Sequence, residues 1–338
     1  MLRAFESLPE ETKAVLDTPI CKLGLKLETS PVYPFVEQMY KELADKGLQK
    51  FKPVVYLSDE WGCPSGEPVI GIPFYLGDKR LADIEAQVND LETDAETMMY
   101  LRHEAGHAFN YAYKLYRTAE WKQRFGPFRR AYRENYKPVA FSRRYVRHIA
   151  GWYAQKHPDE DFAETFAVWL TPDSKWRSKY KYWGALEKLE YMERIGTELG
   201  NADPLRKRGR PDVTTDEMDM TVAEFYERSL EHVAEPDDLA MDTDLIDIFG
   251  PTRVPKEEQR GADELIREHR KTLVDKVTYW TGVQRPTAKK LVESVEQRVR
   301  ELELRVNTRR EPEYVAELSV YLTAMAMNYL LRGNFVQR

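Results

Sequence analysis

The sequence predicts an α+β protein that is mostly helical, with a small N-terminal sheet and a C-terminal helical region. Three observations carry this prediction. Only two segments in the first 80 residues have the pattern of strands, apolar residues recur at helical spacing in the other patterned segments, and the chain beyond about residue 220 is mainly helical. Two domains are expected, over residues 1–205 and 206–338, and the second could instead pack on the first as one unit.

The N-terminal half alternates helical and extended segments. Residues 32–48 carry apolar side chains at helical spacing, and residues 52–58 and 69–77 are predicted to be extended. Because proline cannot donate to a ladder, Pro73 predicts that the second of these strands lies at an edge.

Capping signals mark the longer helices. Thr93 and Glu96 form a capping-box pattern at the start of a helix expected over 94–116. Pro158 suits the first turn of a helix expected over 158–170. Further helices are expected over 184–198, 262–281, 286–306 and 311–332, with a second capping box from Thr221 to Glu224.

Two polar segments are distinctive. Residues 201–219 contain Pro204 and Pro211 and are predicted to be an exposed loop or a domain boundary. Residues 121–150 are rich in Lys and Arg, which indicates either a solvated face or a binding surface for an acidic substrate or a carboxylate.

Composition excludes several classes of protein. The chain has 338 residues, of which 42% are hydrophobic and 12% aromatic, so it can bury a large core and is not wholly disordered. Its 51 Lys and Arg against 57 Asp and Glu give a net charge of -6, which argues against a nucleic-acid partner. No run of about 20 apolar residues is present, so no association with a membrane is expected.

Cysteine content and the first residues bear on the compartment. Cys21 and Cys63 are too few for a disulfide-stabilised secreted scaffold and are expected to be reduced thiols. The first 20 residues lack the apolar segment and cleavage site of a secretory signal. Both observations favour a cytoplasmic protein, and neither predicts an oligomeric state.

One short motif carries metal chemistry. His103 and His107 match H-E-x-x-H inside the helix that follows the first capping box. Residues four apart share a helix face, so two imidazoles can reach one zinc ion, while Glu104 projects beside it as a candidate general base. Ala105 and Gly106 are small, which allows a neighbouring element to approach closely.

The third zinc ligand distinguishes the families of zinc proteins that share the H-E-x-x-H motif. A metzincin would need glycine and histidine where Asn110 and Tyr113 stand, so that class is excluded. The other common arrangement takes a glutamate from a downstream helix. The segment 157–166 offers Glu160 and Glu164, of which one could bind zinc while the other accepts a hydrogen bond from a ligand histidine.

Taken together, these motifs resemble a group of bacterial zinc-binding metallopeptidases. HEAGH at 103–107 is followed about fifty residues later by the Y-A-x-x-H-P-x-E-D-F-A-E-T-F pattern of 153–166. The segments 61–66 and 70–76 are also similar to that group, and the resemblance covers about residues 20–200. It implies a zincin-like core. The E-x-F-A-E element is more distantly similar to the lethal-factor-type toxins and the Mlc titration factor peptidases, which are gluzincins.

Site roles follow from this resemblance. It implies that Glu160 is the zinc ligand and that Glu164 is the partner of a ligand histidine, His103 in particular. Tyr153 stands seven residues before Glu160, where the lethal-factor type has an oxyanion-stabilising tyrosine. His157 has two interpretations, either a contact at the start of the helix or a polar group that faces the substrate.

The expected function is therefore a zinc-dependent metallopeptidase. One Zn²⁺ held by His103, His107 and Glu160 would activate a water molecule, with Glu104 as general base and Tyr153 as oxyanion donor, and the substrate would be a peptide or a protein. Two alternatives remain: a non-catalytic zinc-stabilised binding module, and a metal hydrolase of a non-peptide amide or ester. Cleavage specificity and the role of the C-terminal helices are not predicted.

Overall fold

The computed structural model describes residues 5, 8–89, 91–132, 136–231, 241–250, 255–333 and 335. The chain forms two compact units. Unit 1 takes 1–136, 141–149 and 153–232, and unit 2 takes 137–140, 150–152 and 233–338. Helices dominate both units and strands are few, which confirms the mostly helical α+β class.

Unit 1 contains nine labelled helices and two strands among its described residues. In chain order they are α1 Glu10–Lys13, α2 Tyr33–Asp45, β1 Val54–Ser58, β2 Val69–Pro73, α3 Lys79–Val88, α4 Asp94–Tyr113, α5 Ala119–Phe125, α6 Pro158–Leu170, α7 Trp176–Lys179, α8 Ala185–Leu199 and α9 Val222–Glu231. The extended segment expected over 69–77 ends at Pro73 and continues as a 3₁₀ turn.

The boundary between the units lies later in the chain than the expected residue 205. Residues 206–231 belong to unit 1, because Met218, Val222 and Tyr226 pack in one apolar cluster with Phe5 and Ile20.

The small sheet lies beside α4. Strands β1 and β2 pair in parallel, from Val54 opposite Val69 to Ser58 opposite Pro73. On the other side of β2, Gly71 N donates to Gly62 O at 2.7 Å and accepts in return through its own carbonyl at 3.2 Å. Pro73 stands at the last position of its strand, where a missing N–H interrupts no ladder.

Helix α4 begins at the predicted capping box. Thr93 Oγ1 accepts from the backbone N–H of Glu96 at 3.3 Å, and Thr93 N donates to Glu96 Oε2 at 2.8 Å, which confirms the box. The helix ends at Tyr113, earlier than the expected 116, because Lys114 adopts the left-handed conformation with φ of 54°. From His103 to its end, every residue of α4 is buried.

Helices α4 and α6 cross at two small residues. A Cβ built on Gly106 would lie 2.8 Å from Ala163 Cα and 3.0 Å from Phe166 Cβ. The expected close approach of a neighbouring element is therefore confirmed, and that element is α6. The glycine of HEAGH and the alanine of E-x-F-A-E thus bring the two motifs into contact.

Gly106→Ala is expected to destabilise the protein. The new methyl group would meet backbone atoms of α6, and overpacking of this kind costs about 1–3 kcal/mol, more than the helix propensity that alanine gains. We expect the melting temperature to fall by roughly 5 °C, as measured by thermal unfolding. Gly62→Ala is the control, since its Cβ would meet nothing within 4 Å. An unchanged melting temperature for Gly106→Ala would show that the helices can separate without cost.

The predicted basic segment is largely exposed. Arg129, Arg130, Arg143 and Arg144 have exposed side chains, whereas Arg147 is half-buried with its guanidinium 5.3 Å from the Trp183 ring centroid. This arrangement is compatible with a solvated face and with an anionic partner.

Unit 2 is mainly helical, with one pair of short strands. Its labelled elements are α10 Asp242–Phe249, β3 Gln259–Gly261, α11 Ala262–Thr281, α12 Arg285–Glu301, β4 Arg305–Asn307 and α13 Glu311–Arg332. The three long predicted helices are confirmed, but α12 stops short of 306 because 305–307 pair antiparallel with β3. Valine and leucine side chains of α11, α12 and α13 form the core of this unit. Among the described helices, none combines the length and apolar character needed to cross a bilayer.

Candidate metal centre

Three side chains from two helices converge at one point. Helix α4 contributes His103 and His107, and α6 contributes Glu160 from its first turn. His103 Nε2 lies 3.0 Å from Glu160 Oε2 and 3.1 Å from His107 Nε2, and the third separation, between His107 Nε2 and Glu160 Oε2, is 3.2 Å. All three side chains are buried. This group could hold a metal ion.

Glu164 orients the first imidazole. Its Oε1 accepts from His103 Nδ1 at 3.0 Å, and the pairing is the one that the motif resemblance implies. Its Oε2 accepts from the backbone N–H groups of His148, at 3.2 Å, and Ile149, at 2.9 Å. These contacts satisfy a fully buried carboxylate and fix the ring of His103.

Asp159 has the same role for the second imidazole, and the sequence reasoning missed it. Its Oδ2 accepts from His107 Nδ1 at 3.0 Å and from the Tyr111 hydroxyl, while its Oδ1 accepts from Asn110 Nδ2 at 2.7 Å. Asn110 and Tyr111 lie three and four residues after His107, on the same helix face. That spacing, together with an acid directly before Glu160, is the signal that could have found this network.

The hydrogen bonds fix which ring atoms face the convergence point. A neutral imidazole has one N–H and one lone pair. Because Nδ1 of both His103 and His107 donates to a carboxylate, Nε2 of each neutral ring presents its lone pair. Two nitrogen lone pairs and a carboxylate oxygen therefore face one another at about 3 Å, an arrangement that a cation stabilises.

Carboxylates shift the titration of both rings. Burial alone would lower the pKa of His103, but hydrogen bonds with Glu160 and Glu164 outweigh it and raise the pKa to about 9. Burial would also lower the pKa of His107, but Asp159 and Glu160 outweigh it and raise this pKa well above its ordinary value. In the absence of a metal ion, the surrounding carboxylates therefore favour protonation of this pair of imidazoles, so a proton competes with a metal ion for Nε2.

Metal affinity is consequently expected to rise with pH. Below a pKa of about 9 a metal ion has to displace one or two ring protons, so acid weakens binding and alkali strengthens it. We expect the apparent affinity to increase about 10- to 100-fold per pH unit between about pH 6 and 8. Competition with a chromophoric chelator measures this, and calorimetry in two buffers counts the released protons. An affinity that does not change with pH would exclude both imidazoles as the proton-bearing ligands.

Glu104 lies beside the three converging groups without joining them. Its carboxyl group is buried, and burial raises its pKa, although the nearby imidazoles of His103 and His107 act in the opposite direction. A carboxyl group in this environment can accept a proton from a polarised water molecule.

Two tyrosine hydroxyls form a chain of contacts that ends at Glu160 Oε1, the oxygen that does not face the imidazoles. The Tyr153 hydroxyl is 3.3 Å from that of Tyr132, which donates to Glu160 Oε1 at 2.8 Å. The Tyr153 ring lies edge-on to His103, with centroids 5.6 Å apart. Burial and then Glu160 raise the pKa of Tyr153, so its hydroxyl remains a hydrogen-bond donor across the physiological range. Tyr132 was not found from the sequence, because it lies in an irregular segment with no periodic pattern.

His157 is a helix cap. Its Nδ1 accepts from the backbone N–H of Asp159 at 3.1 Å, and its Nε2 donates to the Arg130 carbonyl at 2.9 Å. Of the two interpretations of this histidine, the structure shows the contact at the start of the helix. The cap fixes the first turn of α6, which carries Asp159 and Glu160.

No family model, curated protein or solved structure matches this chain. The resemblance to zinc-binding metallopeptidases therefore remains a prediction, and it rests on the motifs and on the geometry of the residues that carry them.

Proposed function

We propose that the protein is a zinc-dependent metallopeptidase of the gluzincin type, with a zincin-like core in unit 1. One observation carries the proposal: the Nε2 atoms of His103 and His107 and Oε2 of Glu160 converge, while the buried carboxyl group of Glu104 lies near both imidazoles without being part of that group. A purely structural site would have no use for a base at this place.

The donor set suits zinc. Two imidazole nitrogens and one carboxylate oxygen are a common catalytic zinc set, and bonds of about 2.0–2.1 Å in a tetrahedron place the ligand atoms about 3.3 Å apart. The three separations here are 3.0, 3.1 and 3.2 Å, which requires only a small expansion. Asp159 and Glu164 supply the outer hydrogen bonds that such ligand histidines normally make.

The chain's own residues supply the remaining chemistry. Zinc, when bound, supplies Lewis acidity and lowers the pKa of water. Glu104 accepts the proton of the attacking water and returns it to the leaving amine. The Tyr153 hydroxyl donates to the oxygen that gains charge as the peptide carbonyl is attacked, a contribution typically worth about 100- to 1000-fold in rate.

Metal removal and restoration tests this function. The purified protein is loaded with zinc and incubated with a peptide library derived from a proteome, and new termini are identified by mass spectrometry. We expect cleavage that disappears after chelation and returns when zinc is added, with about one zinc per chain. Iron is measured in parallel, since two histidines and one carboxylate also suit iron(II).

The same experiment separates the alternatives. If chelation lowers the melting temperature while no peptide is cleaved by the loaded protein, the zinc-stabilised binding module replaces the peptidase. Metal-dependent turnover of amide or ester substrates, without peptide cleavage, would instead identify a non-peptide hydrolase.

The cytoplasmic location remains a prediction. The two cysteines, Cys21 and Cys63, are free thiols and add no further evidence on location.

A further inference from the structure

We propose that Tyr132 is a positioning residue that keeps Glu160 bound to the metal through a single oxygen and places the Tyr153 hydroxyl beside it. This inference rests on the metal site proposed above. The observation behind it is a hydroxyl that contacts both groups at once, 2.8 Å from Glu160 Oε1 and 3.3 Å from the Tyr153 hydroxyl.

The two oxygens of Glu160 have different partners. Oε2 faces the two imidazoles, whereas Oε1 accepts from Tyr132. A hydrogen bond to Oε1 competes with its approach to the metal, so it favours monodentate over bidentate ligation. A monodentate Glu160 leaves a coordination position that a bidentate carboxylate would fill, and a catalytic site needs that position for water or substrate.

Several contacts hold the Tyr132 ring. The Lys156 ammonium lies 4.4 Å from the centroid of Tyr132 and 5.2 Å from that of Tyr153, so one cation bridges both rings. The imidazole of His157 packs against Tyr132 with centroids 5.4 Å apart. His157 also binds the Arg130 carbonyl, two residues before Tyr132. The cap of α6 thereby ties the irregular segment to the helix that carries Glu160.

Tyr132 acts on the metal only through Glu160. No contact of its hydroxyl with His103 or His107 is seen in the described part of the chain, and its side chain is about half exposed, at 48%. Removing the hydroxyl therefore changes the coordination of Glu160 while the two imidazoles and their carboxylate partners stay as they are. The ring contacts with Lys156 and His157 do not need the hydroxyl either.

Cobalt substitution tests the proposal without relying on turnover. Cobalt(II) in a four-coordinate site absorbs visible light strongly, and the bands weaken when the coordination number rises. For Tyr132→Phe we expect weaker bands than in the wild type and metal dissociation about 10-fold faster. We also expect kcat on a cleaved peptide to fall about 10-fold with KM within about twofold, since the change affects the reacting site rather than substrate binding.

Three further variants define the outcomes. Tyr153→Phe removes a hydroxyl whose hydrogen-bond partner is the Tyr132 hydroxyl and not Glu160 Oε1, and Tyr182 is a residue that is 77% exposed, so Tyr153→Phe and Tyr182→Phe should both keep the wild-type spectrum and dissociation rate. Lys156→Met, which frees the Tyr132 ring but keeps its hydroxyl, should raise the dissociation rate less than Tyr132→Phe does.

Failure of this inference and failure of the metal site are distinguishable. A wild-type spectrum in Tyr132→Phe, or equal changes in Tyr132→Phe and Tyr153→Phe, would overturn the positioning role and leave the metal site intact. A wild-type protein that binds no cobalt would overturn the metal site and this inference with it.

Discussion

Glu104→Gln is expected to keep its metal and to lose turnover by about 1000-fold. The amide has the shape of the carboxylate but cannot accept a proton, and general-base catalysis typically contributes about 100- to 10,000-fold. Neither imidazole hydrogen bonds to Glu104; each uses Nδ1 for Glu164 or Asp159. The substitution therefore leaves the three converging atoms unchanged and removes one chemical function.

Kinetics and metal analysis together decide this prediction. We expect kcat on a cleaved peptide to fall about 1000-fold, KM to change little, and the zinc content after dialysis to equal that of the wild type. Glu190→Gln is a matched control, since this exposed glutamate lies on α8. A Glu104→Gln variant within a few-fold of wild-type activity would remove Glu104 from the mechanism. Loss of zinc would instead give it a role in holding the metal.

Local signals predicted much of the fold. The capping box at Thr93 and Glu96 and the proline at Pro158 mark the starts of the two site helices, because caps act within one turn of the chain. Helix α3 was not predicted, although Asp78 caps it by accepting from Arg80 N at 2.8 Å. A helix of 10 residues has too few turns for a periodic pattern of apolar residues to identify it. The predicted helix over 286–306 wrongly included Arg305 and Val306 of the short strand β4, because the pairing of β4 with β3 depends on residues more than forty positions away.

The pairing of the two histidines followed from their spacing and the choice of Glu160 from the family resemblance, but the groups that support these side chains were not all predicted. Residues four apart on one helix share a face whatever the rest of the chain does, which is why His103 and His107 could be paired from the sequence alone. Asp159 lies in the first turn of α6, where acidic residues are favoured by the helix dipole, so its position alone does not mark it as a partner of His107. The contact of Tyr132 with Glu160 depends on the path of an irregular segment, and no periodic pattern encodes that path.

His103→Ala is expected to abolish stable metal binding. Zinc sites with four protein ligands bind with about 10–16 kcal/mol, so one ligand contributes on the order of 3 kcal/mol, or about 100-fold in affinity. Two ligands from separate helices would remain, His107 and Glu160. We expect the dialysed variant to contain little zinc by elemental analysis, and its dissociation constant by chelator competition to rise at least about 100-fold.

The same substitution distinguishes two roles for His103, that of a metal ligand and that of a packing residue. Removing the ring also leaves the buried Glu164 with only its two backbone donors, at a cost of about 1–3 kcal/mol, so the metal-free variant should melt below the metal-free wild type. His269→Ala, in unit 2, controls for the general effect of losing a histidine. If His103→Ala bound zinc as tightly as the wild type, His103 would be a packing residue beside Glu164. The α4–α6 pair would then no longer define a metal centre, because His107 and Glu160 alone offer too few donors for a stable site.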